Sequence, residues 1–489
     1  MKRSAPIHID AEQFRKNGHM LIDRIAAFLE SLPEQPVTKG EQPREIRALL
    51  GNEPLPVDAT PLENIYMNVS ELLFQHSLHN GHPRFWGYIT SSAAPAGILA
   101  DLLAASVNAN VGAYPLSPVA TEIEKQTVRW IAEFIGFPND CGGLFVSGGN
   151  MANITGLLAA RKAKAPWDIR KTGLNSRKML IYCSVGTHTW IHKAADLLGF
   201  GTDSIRWIGM NGDQQMQTQL LENQIIEDLN QGHLPFVVVG TAGSVSTGSV
   251  DRLSEIAAVC KKHELWFHID GAYGAPAVIV PEVTALFDGL ELADSVALDP
   301  HKWLYSPLEA GCILVRNPKA LAEAFSFRPE YYNFDGSDED PATNFHEEGM
   351  QNSRGFRALK VWVTLRQVGK NGYIGMLRED IQLAKKLYDL THAHPDMEAV
   401  SNHLSITTFR YVPRDFDKND LGRLNKLNEE LVNRIQTGGE AFVSNAVIDG
   451  KYCLRVCIVN YRTSEEDIEA LVEIVERFGN EVFNQLKVK

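Results

Sequence analysis

Disulfide chemistry is what this sequence most obviously lacks. Its six cysteines (Cys141, Cys183, Cys260, Cys312, Cys453 and Cys457) form no C-x-x-C pair and no dense framework within 489 residues. That excludes the stapled scaffold of small secreted domains, and the six read as reduced core residues. Positive charge is also scarce: 47 Lys and Arg stand against 60 Asp and Glu, a formal charge of -13. No basic run or interleaved basic and aromatic stretch exists to grip a phosphate backbone, so nucleic acid is excluded as a partner. Long apolar runs are missing too; residues 93–113 come nearest, but Asp101, Asn108 and Asn110 interrupt them. Met1, Lys2 and Arg3 are followed by Asp10 and Glu12 before any apolar run, so no signal peptide is read. A soluble cytoplasmic protein with no membrane partner is expected. Neither G-x-G-x-x-G nor a P-loop occurs, which argues against a nucleotide-binding oxidoreductase.

What is present is enough apolar content, 44%, for a large core, and a length that predicts two or three domains. Phe14, Leu21, Ile25, Phe28, Leu29 and Leu32 recur near helical spacing behind Asp10, a residue able to cap the helix. Residues 33–61, rich in proline and charge, connect to a second amphipathic helix over 62–74. This segment, residues 1–80, is too thin to hold a core and is expected to pack on another subunit or on the central domain. Over residues 81–365 short β-rich runs (179–183, 204–208, 236–240, 265–269, 295–298 and 311–315) alternate with helical stretches. Such alternation predicts a parallel or mixed sheet covered by helices on both faces, with ligands at the carboxyl ends of its strands. Residues 366–489 read as a smaller α+β domain: a helix through Asp380 to residue 390, strands over 404–411 and 452–458, and a helix over 465–478. Residues 333–350, acidic and without apolar periodicity, read as a mobile lid.

The chemistry lies at two strand ends. The run 265–269 closes on Asp270 followed by Gly271, Ala272, Tyr273 and Gly274, and the run 295–298 leads into Asp299, Pro300, His301, Lys302 and Trp303. A strand-end Asp alone is usually a cap and a lone Lys is usually solvated. Separated by one crossover at the mouth of the same sheet, they are what pyridoxal phosphate requires: an amine to condense with the aldehyde and an acid to keep the pyridine nitrogen protonated. Gly148, Gly149 and Asn150 stand directly before a helix, where free N–H groups can bind the phosphate.

Five motifs carry a family resemblance: H-P-R-F (82–85), S-P-V-A-T-E (117–122), the Gly148-Gly149 turn, H-I-D-G-A-Y-G (268–274) and D-P-H-K-W-L (299–304). Together, over nearly the whole chain, they resemble the group II pyridoxal-phosphate decarboxylases, and most of all the aromatic L-amino acid decarboxylases. The resemblance implies an α/β, fold type I, aspartate aminotransferase-like architecture. Its parts are a mixed seven-stranded sheet in the large domain, an N-terminal helical segment and a small C-terminal α+β domain. It also implies a homodimer with shared active sites acting on an amino acid. Residue by residue, Lys302 matches the imine-forming lysine, Asp270 the pyridinium partner, and Ala272 a residue against the ring. Gly148, Gly149 and Asn150 fall where relatives bind phosphate, Ser244 matches a hydroxyl near the cofactor, and His301 precedes the lysine as in relatives. Asp299 stands where many relatives carry Asn, and its charge would repel a phosphate. His188 matches the histidine that stacks on the ring and assists proton transfer. With His192 it also mimics the i, i+4 pair of a zinc helix, but the intervening Glu and a third ligand are missing, so no metal is expected. Trp86, Tyr88 and Thr90 fall where relatives line the substrate pocket, with ordinary core aromatics as the alternative.

One departure bears on the product. An ungapped register through residues 354–360 puts Phe345 where aromatic decarboxylases carry a catalytic Tyr that protonates the substrate α-carbon after decarboxylation. The same exchange in relatives accompanies aldehyde synthases, which yield an aldehyde, ammonia and hydrogen peroxide, although His346 or Tyr331 could donate instead. The expected reaction is decarboxylation of an aromatic L-amino acid to its amine, with aldehyde synthesis the second reading and a non-aromatic substrate the third.

Overall fold

From residue 179 to residue 315 most of the apolar runs carry no polar alternation and become strands buried along their length, as parallel strands between two helical layers must be, while the edge run around Arg206 and Trp207 stays partly exposed. The computed structural model describes residues 5–175, 177–328, 336–337, 340–418 and 420–488. It opens with α1 (Ala11–Ser31), capped by Asp10, whose side chain accepts from the Gln13 N–H at 2.7 Å. Next come α2 (Pro43–Leu50), α3 (Leu62–His76), α4 (Pro95–Val107) and α5 (Pro118–Phe134). Helix α2 falls within the connection rich in proline and charge; Pro43 in its first turn and a Gln42–Glu45 capping box start it. No residue of α1 is buried. No helix among the described residues is long and apolar enough to cross a membrane.

The large domain runs β1 (Gly142–Val146), α6 (Gly149–Lys164), α7 (Ile169–Thr172), β2 (Met179–Ser184), α8 (Trp190–Leu197), β3 (Ile205–Ile208) and α9 (Thr218–Asn230). It continues through β4 (Leu234–Thr241), α10 (Leu253–Lys262), β5 (Trp266–Asp270), β6 (Ser295–Leu298), β7 (Gly311–Val315) and α11 (Lys319–Phe325). Seven strands lie in the order β1-β7-β6-β5-β4-β2-β3, with β7 antiparallel to β6 and β1 and the other neighbours parallel, which is the mixed seven-stranded sheet expected. Successive residues feed opposite layers: Leu180, Val238 and Phe267 pack on one side, Ile181, Val237 and Trp266 on the other. Burying each such aliphatic side chain contributes about 1.5–3 kcal/mol. Strand β1 escapes sequence reading because two of its five residues are glycine. The sheet needs Gly143, since a Cβ there would lie 2.5 Å from the Ile313 carbonyl.

After the short hairpin β8 (Gly336–Ser337) and β9 (Asp340–Pro341) comes α12 (Ala358–Ala393), broken at Gly369, whose φ is 65°. Then β10 (Met397–His403), β11 (Ile406–Tyr411), α13 (Leu421–Gly438), β12 (Ser444–Ile448), β13 (Lys451–Cys457) and α14 (Glu465–Val488) build the small domain on an antiparallel sheet ordered β10-β11-β13-β12. The runs 404–411 and 452–458 correspond to β11 and β13. Helix α12 packs on α4 and α5 and also on β10 and α14, so it serves both large and small domains. The division we propose, 1–80, 81–365 and 366–489, cuts this helix just before its break. Of the predicted lid, residues 333–335 and 338–339 lie outside the described residues, and residues 345–347 form a buried-sided 3-10 turn.

Candidate active site

Strands β4, β5 and β6 end side by side, and their carboxyl ends open on a cavity of about 690 Å³. Gly148, Gly149 and Asn150 line it from the start of α6; Asp270 and Ala272 from the end of β5; Asp299, His301 and Lys302 from the loop after β6. His188 joins from the turn before α8, and Tyr88 and Thr90 from the segment before α4. Eleven residues scattered from 88 to 302 thus share one space, as the strand-end reading requires.

The floor is firmly held. Asp270 is 7% exposed; its Oδ1 accepts from the Ala272 N–H at 3.2 Å and its Oδ2 from the Trp190 indole N–H at 2.8 Å. Behind it His268 is fully buried, with Nδ1 2.7 Å from Ser295 Oγ and Nε2 2.7 Å from Asn153 Oδ1; burial pushes its pKa down to about 4, so the ring is neutral. Gly156 permits this packing, since a Cβ there would come within 2.8 Å of that imidazole. Lys302 Nζ lies 3.0 Å from Asp299 Oδ2, so its ion-pair partner is Asp299. The loop carrying Lys302 is braced from below: Trp303 stacks on Tyr273 with ring centroids 4.8 Å apart, and Asp380 accepts from the Trp303 indole N–H at 2.7 Å and from the Tyr305 hydroxyl. Burial pushes the Asp380 carboxyl up to about 7. His188 Nδ1 accepts from the Trp190 backbone N–H at 3.2 Å, which leaves any ring proton on Nε2, and burial lowers its pKa. His301 is also shifted down by burial, its Nδ1 2.8 Å from the Ala310 carbonyl.

Three expected site residues do not line the cavity. Trp86 is wholly buried in the small-domain core, its indole donating to Thr463 Oγ1 at 3.1 Å; the core-aromatic alternative holds. Ser244 turns into its own loop, its Oγ 2.9 Å from Thr247 Oγ1, while its neighbours Gly243 and Val245 line the cavity instead. Phe345 is 2% exposed among Val111, Leu144 and Val146, with the Arg354 guanidinium 4.7 Å above its ring. Its apolar ring is drawn into that core and kept from this chain's own cavity. His346 does not reach the cavity either; its Nδ1 lies 3.1 Å from the Gly112 carbonyl. Tyr331 lies outside the described residues. His192 packs against Trp207, ring centroids 4.8 Å apart.

Sequence reading missed one residue of weight. Arg455, 3% exposed on β13, lines the cavity; its Nη1 donates to the Tyr88 carbonyl at 3.0 Å and Ser444 Oγ at 2.9 Å, while Nε and Nη2 have no partner among the described residues. A buried guanidinium with two idle donors is expensive unless something anionic arrives. The signal was available: a single arginine inside the apolar run 452–458. Glu309, at the rim, pairs with Arg357 at 2.8 Å.

These groups suit pyridoxal phosphate. Gly148 has φ 119°, which favours glycine, and a Cβ on Gly149 would lie 2.6 Å from Asp299 Oδ2 and 3.2 Å from Ala272 Cβ, so the turn before α6 is a close cradle only glycine forms. The start of that 16-residue helix, whose first N–H groups have no partner within the helix, lines a cavity that also holds the Lys302 amine and the carboxylates of Asp270, Asp299 and Glu309. Asp299 works against the phosphate charge: its Oδ1 is buried with no partner among the described residues, and its Oδ2 engages Lys302.

The profile of the Pyridoxal-dependent decarboxylase conserved domain matches residues 43–412. An aromatic-L-amino-acid decarboxylase of Bacillus atrophaeus is 33% identical over 480 residues, covering 98% of each chain. A phenylacetaldehyde synthase from a Rosa hybrid cultivar is 29% identical, covering 96% of this chain and 94% of its own. Among solved structures, Oryza sativa TDC with PLP and tryptamine superposes with a TM-score of 0.90 at 26% identity, covering 98% of this chain and 99% of that one.

Proposed function

The chain belongs to the pyridoxal-dependent decarboxylases, carboxy-lyases that use pyridoxal phosphate, and from that membership we propose that it converts an aromatic L-amino acid to its amine and carbon dioxide. The observation carrying this reading is one cavity that holds Lys302, Asp270 and Arg455, whose Nε and Nη2 have no partner among the described residues. Bound pyridoxal phosphate supplies an electron-poor heterocycle able to take up the electron pair released as carbon dioxide leaves. Lys302 would hold it through Nζ, Asp270 would hold the proton on the heterocycle nitrogen, and the N–H groups of Gly149 and Asn150 would take the phosphate. Arg455 receives the substrate carboxylate, and its burial strengthens that attraction. His188, with its proton on Nε2, moves a proton to the α-carbon. Ile89, Ala272, Val245 and Leu308 give the cavity an apolar wall, which suits an aromatic side chain.

The working unit we propose is a cytoplasmic homodimer with shared sites. Helix α1 without a buried residue, and Leu99, Leu102, Leu103 and Val107 exposed along α4, support a second copy as their cover. Five of the six free cysteines are buried and none is bridged, in keeping with a reducing compartment.

Aldehyde synthesis is the second reading, supported by Phe345 in place of Tyr and by the phenylacetaldehyde synthase relative. Incubating the holoenzyme with a panel of aromatic and non-aromatic amino acids while measuring carbon dioxide, peroxide and amine separates the two. Amine equal to carbon dioxide without peroxide is expected; peroxide equal to carbon dioxide would replace the reading by aldehyde synthesis.

A further inference from the structure

We propose that Trp190 is a positioning residue for the reaction, one side chain and one backbone N–H that together set the state of Asp270 and of His188. The inference rests on the reading that Asp270 serves the heterocycle nitrogen. Trp190 opens α8 and is 1% exposed. Its indole N–H donates to Asp270 Oδ2 at 2.8 Å and its backbone N–H to His188 Nδ1 at 3.2 Å. An indole N–H is a donor only, so it bonds the carboxylate without being able to exchange a proton with it. Such charge-assisted bonds favour the ionised acid.

The surroundings of Asp270 make that dipole decisive. Lys302 is paired with Asp299 at 3.0 Å. His268 is neutral, both ring nitrogens engaged by Ser295 and Asn153, and His188 is shifted toward its neutral form. Among the described residues the remaining donor to Asp270, from Ala272, is again an uncharged backbone N–H. A cation bound to Asp270 would cancel the charge that the heterocycle needs. Two neutral donors, one on each oxygen, fix the carboxylate plane and leave its full negative charge available. The indole is itself locked, edge-on to His268 with centroids 6.0 Å apart and an interplanar angle of 79°. By accepting the backbone N–H, His188 Nδ1 is kept free of a proton, so that Nε2 is the donor. The same turn therefore orients both proton-handling groups.

Trp190→Phe tests this, because it keeps an aromatic ring and the backbone N–H but deletes the indole donor. Losing that donor alters how the Asp270 carboxylate acts on the bound cofactor, whose own titration then moves upward. The pH midpoint of the bound cofactor's visible absorbance should rise by about half a unit or more. Turnover should fall about tenfold or more with KM little changed. A packing role alone would lower Tm and leave the midpoint in place. Should Trp190→Phe fail to fold, benzothienylalanine at 190, matched in shape with sulfur replacing the N–H, is expected to give the same shift. An unmoved midpoint with turnover within about twofold of the unaltered protein, in whichever variant folds, overturns the inference and leaves the cofactor reading intact. An unaltered protein that shows no visible band with pyridoxal phosphate overturns both.

Discussion

At the floor of the cavity Asp270 is 7% and Asp299 1% exposed; at its rim Tyr88 is 58% and Leu308 62% exposed. The floor comes from consecutive crossovers of one sheet, β4 to β6, and its groups are cross-braced by Trp190, His268, Trp303 and Asp380. The rim comes from three distant stretches: residues 88–90, residues 308–309, and Ser444, Asn445 and Arg455 of the small domain. Rigid floors fix a chemistry, because the acid, the amine and the phosphate cradle cannot move independently. Mobile or exposed rims fix what is admitted. Membership of the family rests on the matched domain and the relatives, and the floor holds the groups that pyridoxal phosphate needs, while the choice of amino acid is an inference from the rim.

The sharpest way to break this division is at the floor. Asp270→Ala should lower kcat by about 10³-fold or more with a much smaller change in KM, since the carboxylate acts on the charge that develops during reaction. Steady-state kinetics on holoenzyme checks this, and equal losses in both parameters would contradict it. At the boundary between floor and rim, Arg455→Met should raise KM about 10- to 100-fold with a smaller effect on kcat, because it removes ground-state binding of a carboxylate. A kcat loss without a KM change would move Arg455 from binding to chemistry.

The smallest effect concerns the brace. Asp380 is buried with its pKa raised to about 7. Because the folded state holds that proton more tightly than the unfolded chain does, its contribution to stability is complete below the unfolded value near 4 and is lost as pH rises through about 7. Asp380→Asn keeps an acceptor for Trp303 or Tyr305 without this titration. The Tm of the variant minus that of the unaltered protein should therefore increase from pH 5 to pH 8, by a few degrees. A difference that does not change with pH would mean the carboxyl does not titrate in the folded protein.

The same division governs what could be read before any coordinates. Asp270, Lys302, Gly148, Gly149 and His188 were legible because strand ends and helix starts are local signals. Trp86 and Ser244 were not: an aromatic after H-P-R-F packs as well into a core as into a pocket, and a hydroxyl three residues from Thr247 is satisfied within its own turn. Phe345 aligns with a catalytic position, and its ring packs beside Arg354 in an apolar core outside the lining of this chain's cavity. Arg455 was overlooked because its meaning depends on β13 meeting the segment of Tyr88, a contact spanning 367 residues. Strand β1 was hidden by its glycines, and α13 and β12 by polar faces that solvate one side.

Borohydride reduction of the holoenzyme followed by peptide mass spectrometry tests the central claim most directly. The account predicts a reduced cofactor adduct on the peptide bearing Lys302 and loss of the visible band. An adduct on any other lysine, or none after incubation with added pyridoxal phosphate, would contradict it.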